Sequence, residues 1–197
     1  MKTIGITGGI ASGKSLVSNY LKSLGARVIC ADEITHKLYL PKEAGSKLVK
    51  KEFGIEYLKK DGGVDRNKLG KLVFGDEKLL EKLNKMMHPL IFDEIRNQSS
   101  QEDKTIFVDA ALLIESGLYK KMDEVWLVVA NLYERIRRLR LRDNINDDKI
   151  MKIINSQMDD IEKSKYADKI IDNSFSIKET YLQVERYYSA LTDNKKG

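Results

Sequence analysis

Gly8-Gly9-Ile10-Ala11-Ser12-Gly13-Lys14-Ser15 decides how this 197-residue chain is read. The stretch fits G-x-x-x-x-G-K-[ST], and its flanks supply the context that the pattern needs. Ahead of it, Lys2-Thr3-Ile4-Gly5-Ile6-Thr7 is a short β-branched run that predicts a buried strand. Behind it, Leu16, Val17, Tyr20, Leu21 and Leu24 recur at helical spacing and predict one apolar helix face. Strand, glycine loop and helix together form a phosphate cradle. The glycines let successive N–H groups turn inward, and the helix N-terminus adds its partial positive charge. Lys14 then reaches the outer phosphates, and the Ser15 hydroxyl can take one position on a magnesium ion. A chance Gly-Lys-Ser in an ordinary turn is the alternative, and the flanking strand and helix weigh against it.

The rest of the composition is that of a globular chain, 42% hydrophobic and 33% charged. It has no apolar run long enough to span a bilayer. The first residues pass straight into a strand without a signal-peptide pattern, which predicts a cytoplasmic protein. A single Cys30 excludes an internal disulfide and a cysteine metal cluster, and its place late in Arg27-Val28-Ile29-Cys30 reads as a small buried hydrophobe. The net charge of +5 raises the question of nucleic acid. Basic residues are interleaved with acids over most of the chain, and 8% aromatics come with no RNA-binding motif. Neither nucleic acid nor membrane is therefore expected as a partner, and a monomer is favoured.

Five segments predict buried strands: residues 3–7, 27–30, 105–109, 124–129 and 168–172. Each precedes a helical pattern, which implies a P-loop NTPase-type α/β fold, a five-stranded parallel sheet between two helical layers. Such sheets bind ligands at the carboxyl ends of their strands, the rim that would carry the glycine loop, Asp32, Asp109 and Asn131. Residues 41–98 show short helical patterns and no convincing strand. They read as a helical insertion for an acceptor substrate, leaving 1–40 and 99–197 as the nucleotide-binding core. Within that core a charged helical stretch, about 138–165, reads as a lid, interrupted where Asn146 or Asp147 can cap a second helix.

Arg135, Arg137, Arg138, Arg140 and Arg142 form the densest cationic cluster, with Arg135, Arg138 and Arg142 on one helical face. Lid arginines can follow the charge on a transferring phosphoryl group; a solvated helix face is the alternative. Asp32 opens the helical run 33–40, where it can cap the helix or take a proton from an acceptor hydroxyl. Asp109 closes Ile106-Phe107-Val108 as the acid of a Walker B strand does, meeting magnesium through water, or as a cap. His88 stands before Pro89, which predicts an extended residue leading into a helix with Pro89 in its first turn. His36 has no obvious partner.

Taken in order, these motifs resemble the dephospho-coenzyme A kinase family along essentially the whole chain. The stretch 4–15 is similar to the family's opening, which usually has glycine where Ala11 stands. Ala31-Asp32 matches the end of its D-A-D segment, with Cys30 in place of the first aspartate. His88-Pro89-Leu90-Ile91 is similar to its H-P-L-I motif. Asp109-Ala110-Ala111-Leu112-Leu113-Ile114-Glu115 is similar to its D-x-P-L-L-F-E. Arg138-Leu139-Arg140-Leu141-Arg142-Asp143 resembles its lid pattern R-x-x-x-R-D. Gln157-Met158 and 167–173 match later segments. Ile153 stands where the family has arginine, with Lys152 beside it, and Phe175 replaces a glycine that often follows Asn173-Ser174.

The resemblance implies phosphorylation of the ribose 3′-hydroxyl of dephospho-coenzyme A by ATP with Mg2+, the last step of coenzyme A synthesis. Its catalytic residues would be Asp32 as the base, Lys14, Arg142 and Arg138. Gly9, Ala11, Ser12, Gly13, Lys14, Ser15, Leu16 and Asn173 would bind the nucleotide, with Asn173 near the adenine. Asp32, His88 and Asp109 would meet the acceptor, and Ser15 and Asp109 the metal. The rivals are another small-molecule P-loop kinase and a nucleotide-dependent switch or nucleic-acid-binding NTPase.

Overall fold

The computed structural model describes residues 2–99 and 105–193, the side chains of 192 and 193 excepted. Its strands are β1 (Lys2–Gly8), β2 (Arg27–Cys30), β3 (Thr105–Asp109), β4 (Glu124–Val129) and β5 (Lys169–Asp172), lying in the order β2-β3-β1-β4-β5. β1 pairs in parallel with β3 on one side, Ile4 opposite Phe107, and with β4 on the other, Ile6 opposite Trp126. β4 pairs in parallel with β5, Val128 opposite Ile171. The expected α/β fold on a five-stranded parallel sheet is the one the chain adopts, and each strand falls where the β-branched and aromatic runs placed it.

Two compact units make up the chain: residues 1–28 with 103–197, and residues 29–102. The first contains β1 and α1 (Lys14–Ser23), then β3, β4, α6 (Leu132–Asp143), α7 (Asp147–Asn155), α8 (Asp160–Ser164), β5 and α9 (Ile177–Asp193). Its core gathers Ile4, Ile6, Val17, Leu21, Phe107, Trp126, Val128, Ile171 and Val184. These residues come from the two-sided apolar strands and from the inward stripes of α1 and α9. Trp126 meets Phe107 edge-on at 5.1 Å between ring centroids and satisfies its indole N–H on Glu124 at 2.7 Å. Tyr20 of α1 stacks on Tyr181 of α9.

The second unit is helical: α2 (Ala31–Leu38), α3 (Ala44–Glu52), α4 (Arg66–Val73) and α5 (Glu77–Gln98). It includes α2. α5 corrects one expectation. The helix does not begin at Pro89; it starts at Glu77, capped by Asp76, and runs through His88 and Pro89. Proline within a helix removes one hydrogen bond and costs about 3 kcal/mol. Here Leu83, Met87, Ile91 and Ile95 are buried at four-residue steps on both sides of it. Burying each such side chain is worth about 1.5–3 kcal/mol, so the apolar stripe outweighs the proline.

Candidate active site

The phosphate-loop part of the candidate site lies in the first unit. β1 ends at Gly8 and α1 starts at Lys14, leaving the loop 9–13 between them. Two of its residues take the left-handed conformation, Gly13 at φ 98° and Ala11 at φ 61°. Gly13 is compelled by space as well, since a Cβ there would stand 1.8 Å from the side-chain nitrogen of Asn173.

The loop's carbonyls are all taken by protein donors. The Gly9 carbonyl accepts from the Ser12 N–H, and that of Gly13 from the Leu16 N–H. Arg135 Nε donates to Ile10 O at 3.0 Å. Arg138 Nη1 donates to the carbonyls of Ala11 and Ser12 at 3.2 Å, while its Nη2 donates to Asn173 O at 2.7 Å. Asn173 is buried; its amide donates to Ser12 O at 2.7 Å, and its side-chain oxygen accepts from Thr180 at 2.9 Å. The Ile10 N–H donates to Gln157 Oε1 at 2.7 Å.

Lys14 forms an ion pair with Asp109, the last residue of β3, and Ser18 donates to the other carboxylate oxygen at 2.6 Å. Asp109 is almost wholly buried, whereas Ser15, in the first turn of α1, is exposed. No acid stands in that first turn, so the positive end of α1 is uncompensated by its own side chains.

The arginine face divides. Arg135 is buried and faces Asp160 at 3.3 Å, and Arg138 is half-buried against the loop. Arg142 is exposed and pairs with its neighbour Asp143 at 2.7 Å. Arg137 and Arg140 pair with Glu134 and Asp147 on the surface. Burial pushes the Asp160 carboxyl above its usual range, opposed by Arg135 and Lys163. Lys163 is itself fully buried, 2.8 Å from Glu115. Lys152 is exposed and Ile153 half-buried.

Asp32 and His88 belong to the helical unit. Asp32 is exposed in the first turn of α2, at the carboxyl end of β2. With Glu33, His36, Lys37 and Arg66 it lines an open pocket of about 360 Å³. His36 Nδ1 and Arg66 Nη1 are 3.4 Å apart there. His88 is half-buried on α5.

Gly9, Ala11, Ser12, Gly13, Lys14, Ser15 and Leu16 are thus brought together with Asp109, Arg138 and Asn173. Asn173 serves the loop itself through its amide nitrogen, while its amide oxygen is held by Thr180. Sequence reasoning gave no part to Arg135, Gln157, Asp160 or Lys163. Arg135 was visible only as one member of the cluster and Gln157 only as half of a matched dipeptide, while Asp160 and Lys163 looked like surface charge.

A parallel sheet whose central strand feeds a glycine loop and a lysine at a helix start defines a P-loop nucleotide-binding fold. The profile of the family described as dephospho-CoA kinase matches residues 2–179. The chain is 39% identical over 194 residues to the dephospho-CoA kinase of Aquifex aeolicus, covering 98% of each. With that of Dehalococcoides mccartyi it shares 41% over 178 residues, 88% of this chain and 89% of the relative. The solved dephospho-CoA kinase of Campylobacter jejuni superposes with a TM-score of 0.66 at 29% identity, covering 98% of this chain and 99% of that one. The chain belongs to the dephospho-CoA kinase family. It is an ATP-dependent kinase of the final step of coenzyme A synthesis.

Proposed function

We propose that the phosphate loop, the two lid arginines and Asp32 carry out transfer of the ATP γ-phosphoryl group to the ribose 3′-hydroxyl of dephospho-coenzyme A. One observation carries the nucleotide half. The carbonyls of Gly9, Ile10, Ala11, Ser12 and Gly13 are all engaged by protein donors, so the loop offers an anion its N–H groups other than those of Ile10 and Ser12, which Gln157 and Gly9 take. Lys14 exchanges its ion pair with Asp109 for the outer phosphates as ATP enters. Arg138 keeps the loop's shape and puts its charge beside the phosphates. Arg142, paired on the surface with the exposed Asp143, swings in to meet charge on the transferring group.

Asp32 orients the 3′-hydroxyl and accepts its proton as the O3′–phosphorus bond forms and the bond to ADP breaks. Its place in the first turn of α2, beside a pocket carrying Lys37 and Arg66, suits a phosphate-bearing acceptor. His88 helps to hold that acceptor from α5. This division makes residues 41–98 the acceptor-binding part.

A magnesium ion fits the donor set. Ser15 presents an exposed hydroxyl, and the Asp109 carboxylate meets the neighbouring Lys14 and Ser18. Among the described residues no cluster of three His, Cys, Asp or Glu could hold a metal. Magnesium in such sites completes its shell with phosphate oxygens and water, which Ser15 and Asp109 would supplement. Bound there, the ion would supply charge neutralisation on the phosphates.

The test is ADP release from ATP, with and without dephospho-coenzyme A, at controlled magnesium. Release should depend on the acceptor and on magnesium, and phosphorus NMR should place the new phosphate on the ribose 3′-oxygen. Equal release without acceptor would overturn the proposal.

A further inference from the structure

We propose that Arg135 and Asp160 form a positioning pair that sets the Gly9–Ile10 stretch of the phosphate loop and thereby governs ATP affinity. The pair rests on the reading of this loop as the ATP site. Arg135 is buried, and its Nε holds the Ile10 carbonyl at 3.0 Å while Nη1 faces Asp160 Oδ2 at 3.3 Å. Three residues before Asp160, Gln157 accepts the Ile10 N–H at 2.7 Å. Both polar groups of one loop residue are therefore fixed from a single short segment of the chain, directly by Gln157 and through Arg135 by Asp160.

The pair also passes close beneath Gly9. A Cβ on Gly9 would stand 2.7 Å from Arg135 Nη2 and 3.2 Å from Asp160 Oδ1. A side chain at this position would therefore require the pair to shift. The other charged groups bearing on Asp160 are Lys163, which opposes the rise caused by burial, and Asp159, which adds to it. Lys163 has Glu115 as its own partner.

An ion pair with one member buried and the other half-buried is poor as a stability device, because desolvating the charges offsets much of their attraction. Removing one member leaves the other buried and uncompensated, and the group it was aiming drifts. Arg135 aims at a carbonyl of the loop. Fixing that carbonyl fixes the plane of the peptide that follows it, and with it the direction of an N–H group. Neither residue touches the transferring group, so both act through the loop and leave the chemical step alone.

The experiment compares steady-state constants of the full-length enzyme with those of Asp160→Asn, Asp160→Glu, Arg135→Gln and the double variant Arg135→Gln/Asp160→Asn. Asp160→Asn and Arg135→Gln should each raise KM for ATP about tenfold, the scale of a lost charge-assisted hydrogen bond. The kcat and the KM for dephospho-coenzyme A should stay within about twofold. Asp160→Glu should recover much of the ATP affinity, and the double variant should be no worse than the poorer single one. If Arg135→Gln yields no folded protein, the two Asp160 variants decide alone. Variants that lose thermal stability but keep the wild-type KM for ATP overturn the pair, as do fully additive losses. Absence of ATP-dependent phosphorylation in the wild type would instead overturn the kinase reading of the loop, which the same assay establishes first.

Discussion

Gly13 and Asn173 occupy the same small volume from opposite ends of the chain, the Asn173 amide filling the place a Gly13 side chain would take. Asn173 uses that closeness to hold the Ser12 carbonyl, which fixes the loop just ahead of Lys14. Gly13→Ala therefore meets two penalties, a left-handed φ and an overlap that neither partner can relieve by a small shift. Together these amount to about 2–5 kcal/mol. Urea unfolding should show a loss of that size, and a variant as stable as the wild type would refute the packing argument.

Ala11 presents the converse case. Its φ of 61° places an alanine where glycine carries no steric penalty. Ala11→Gly should raise stability by ~0.5–1 kcal/mol, the strain relieved less the extra freedom of the unfolded glycine. Thermal unfolding followed by circular dichroism should show the midpoint rising by about 1–3 °C. A lower midpoint would mean that the loop tolerates this methyl without strain.

Asp32→Asn should leave ATP binding near wild type and lower turnover by about 10²- to 10⁴-fold, the usual share of a general base. A coupled steady-state assay with dephospho-coenzyme A measures this directly. Turnover within a few-fold of wild type would remove Asp32 from the proton transfer.

Arg138 and Arg142 should separate cleanly. Arg138→Ala strips donors from three carbonyls and should lower both thermal stability and ATP affinity. Arg142→Ala removes only a surface pair with Asp143 and should leave stability unchanged while kcat falls by about 10-fold or more. If Arg142→Ala instead raised KM for ATP at constant kcat, the residue would serve ground-state binding.

Asp123 gives a pH signature away from the site. The Thr3 backbone N–H at 2.6 Å, and then the Thr3 hydroxyl at 2.8 Å, hold its carboxyl below the usual 3.8. A carboxylate lowered on folding adds stability that is complete above 3.8 and disappears as pH falls through the folded value. Asp123→Asn should be less stable than the wild type at neutral pH, and the two melting points should converge on acidification below 3.8. A gap that persisted in acid would show that the hydrogen bonds survive protonation.

The sheet was legible because its signals are local. Runs such as Ile106-Phe107-Val108 and Val125-Trp126-Leu127-Val128 are apolar on both faces, as strands covered on both sides must be. The loop was legible because its glycines and Lys14 follow one another without a gap. What supports the loop was not, because Gln157, Asp160 and Asn173 lie more than a hundred residues away and act as single side chains. Asp160 looks like an N-terminal helix acid, and only the folded chain places it beneath Gly9. Pro89 misled for a related reason, since the stripe of Leu83, Met87, Ile91 and Ile95 that carries α5 past it exceeds the reach of a dipeptide rule. Arg142 sits on the expected helix face, yet its partner is the adjacent Asp143.

The central position of β1 bears on how the chain is made. It precedes both of its neighbours in the chain, and β3 and β4 pair with it across roughly a hundred residues of intervening chain. Until those residues emerge, Ile4 and Ile6 have no sheet to enter. The nascent polypeptide therefore carries this apolar strand unpaired while those residues are made, and β1 becomes a natural handle for a chaperone. Nucleotide binding arrives only once Gln157 and Asn173 are available to close the loop from behind.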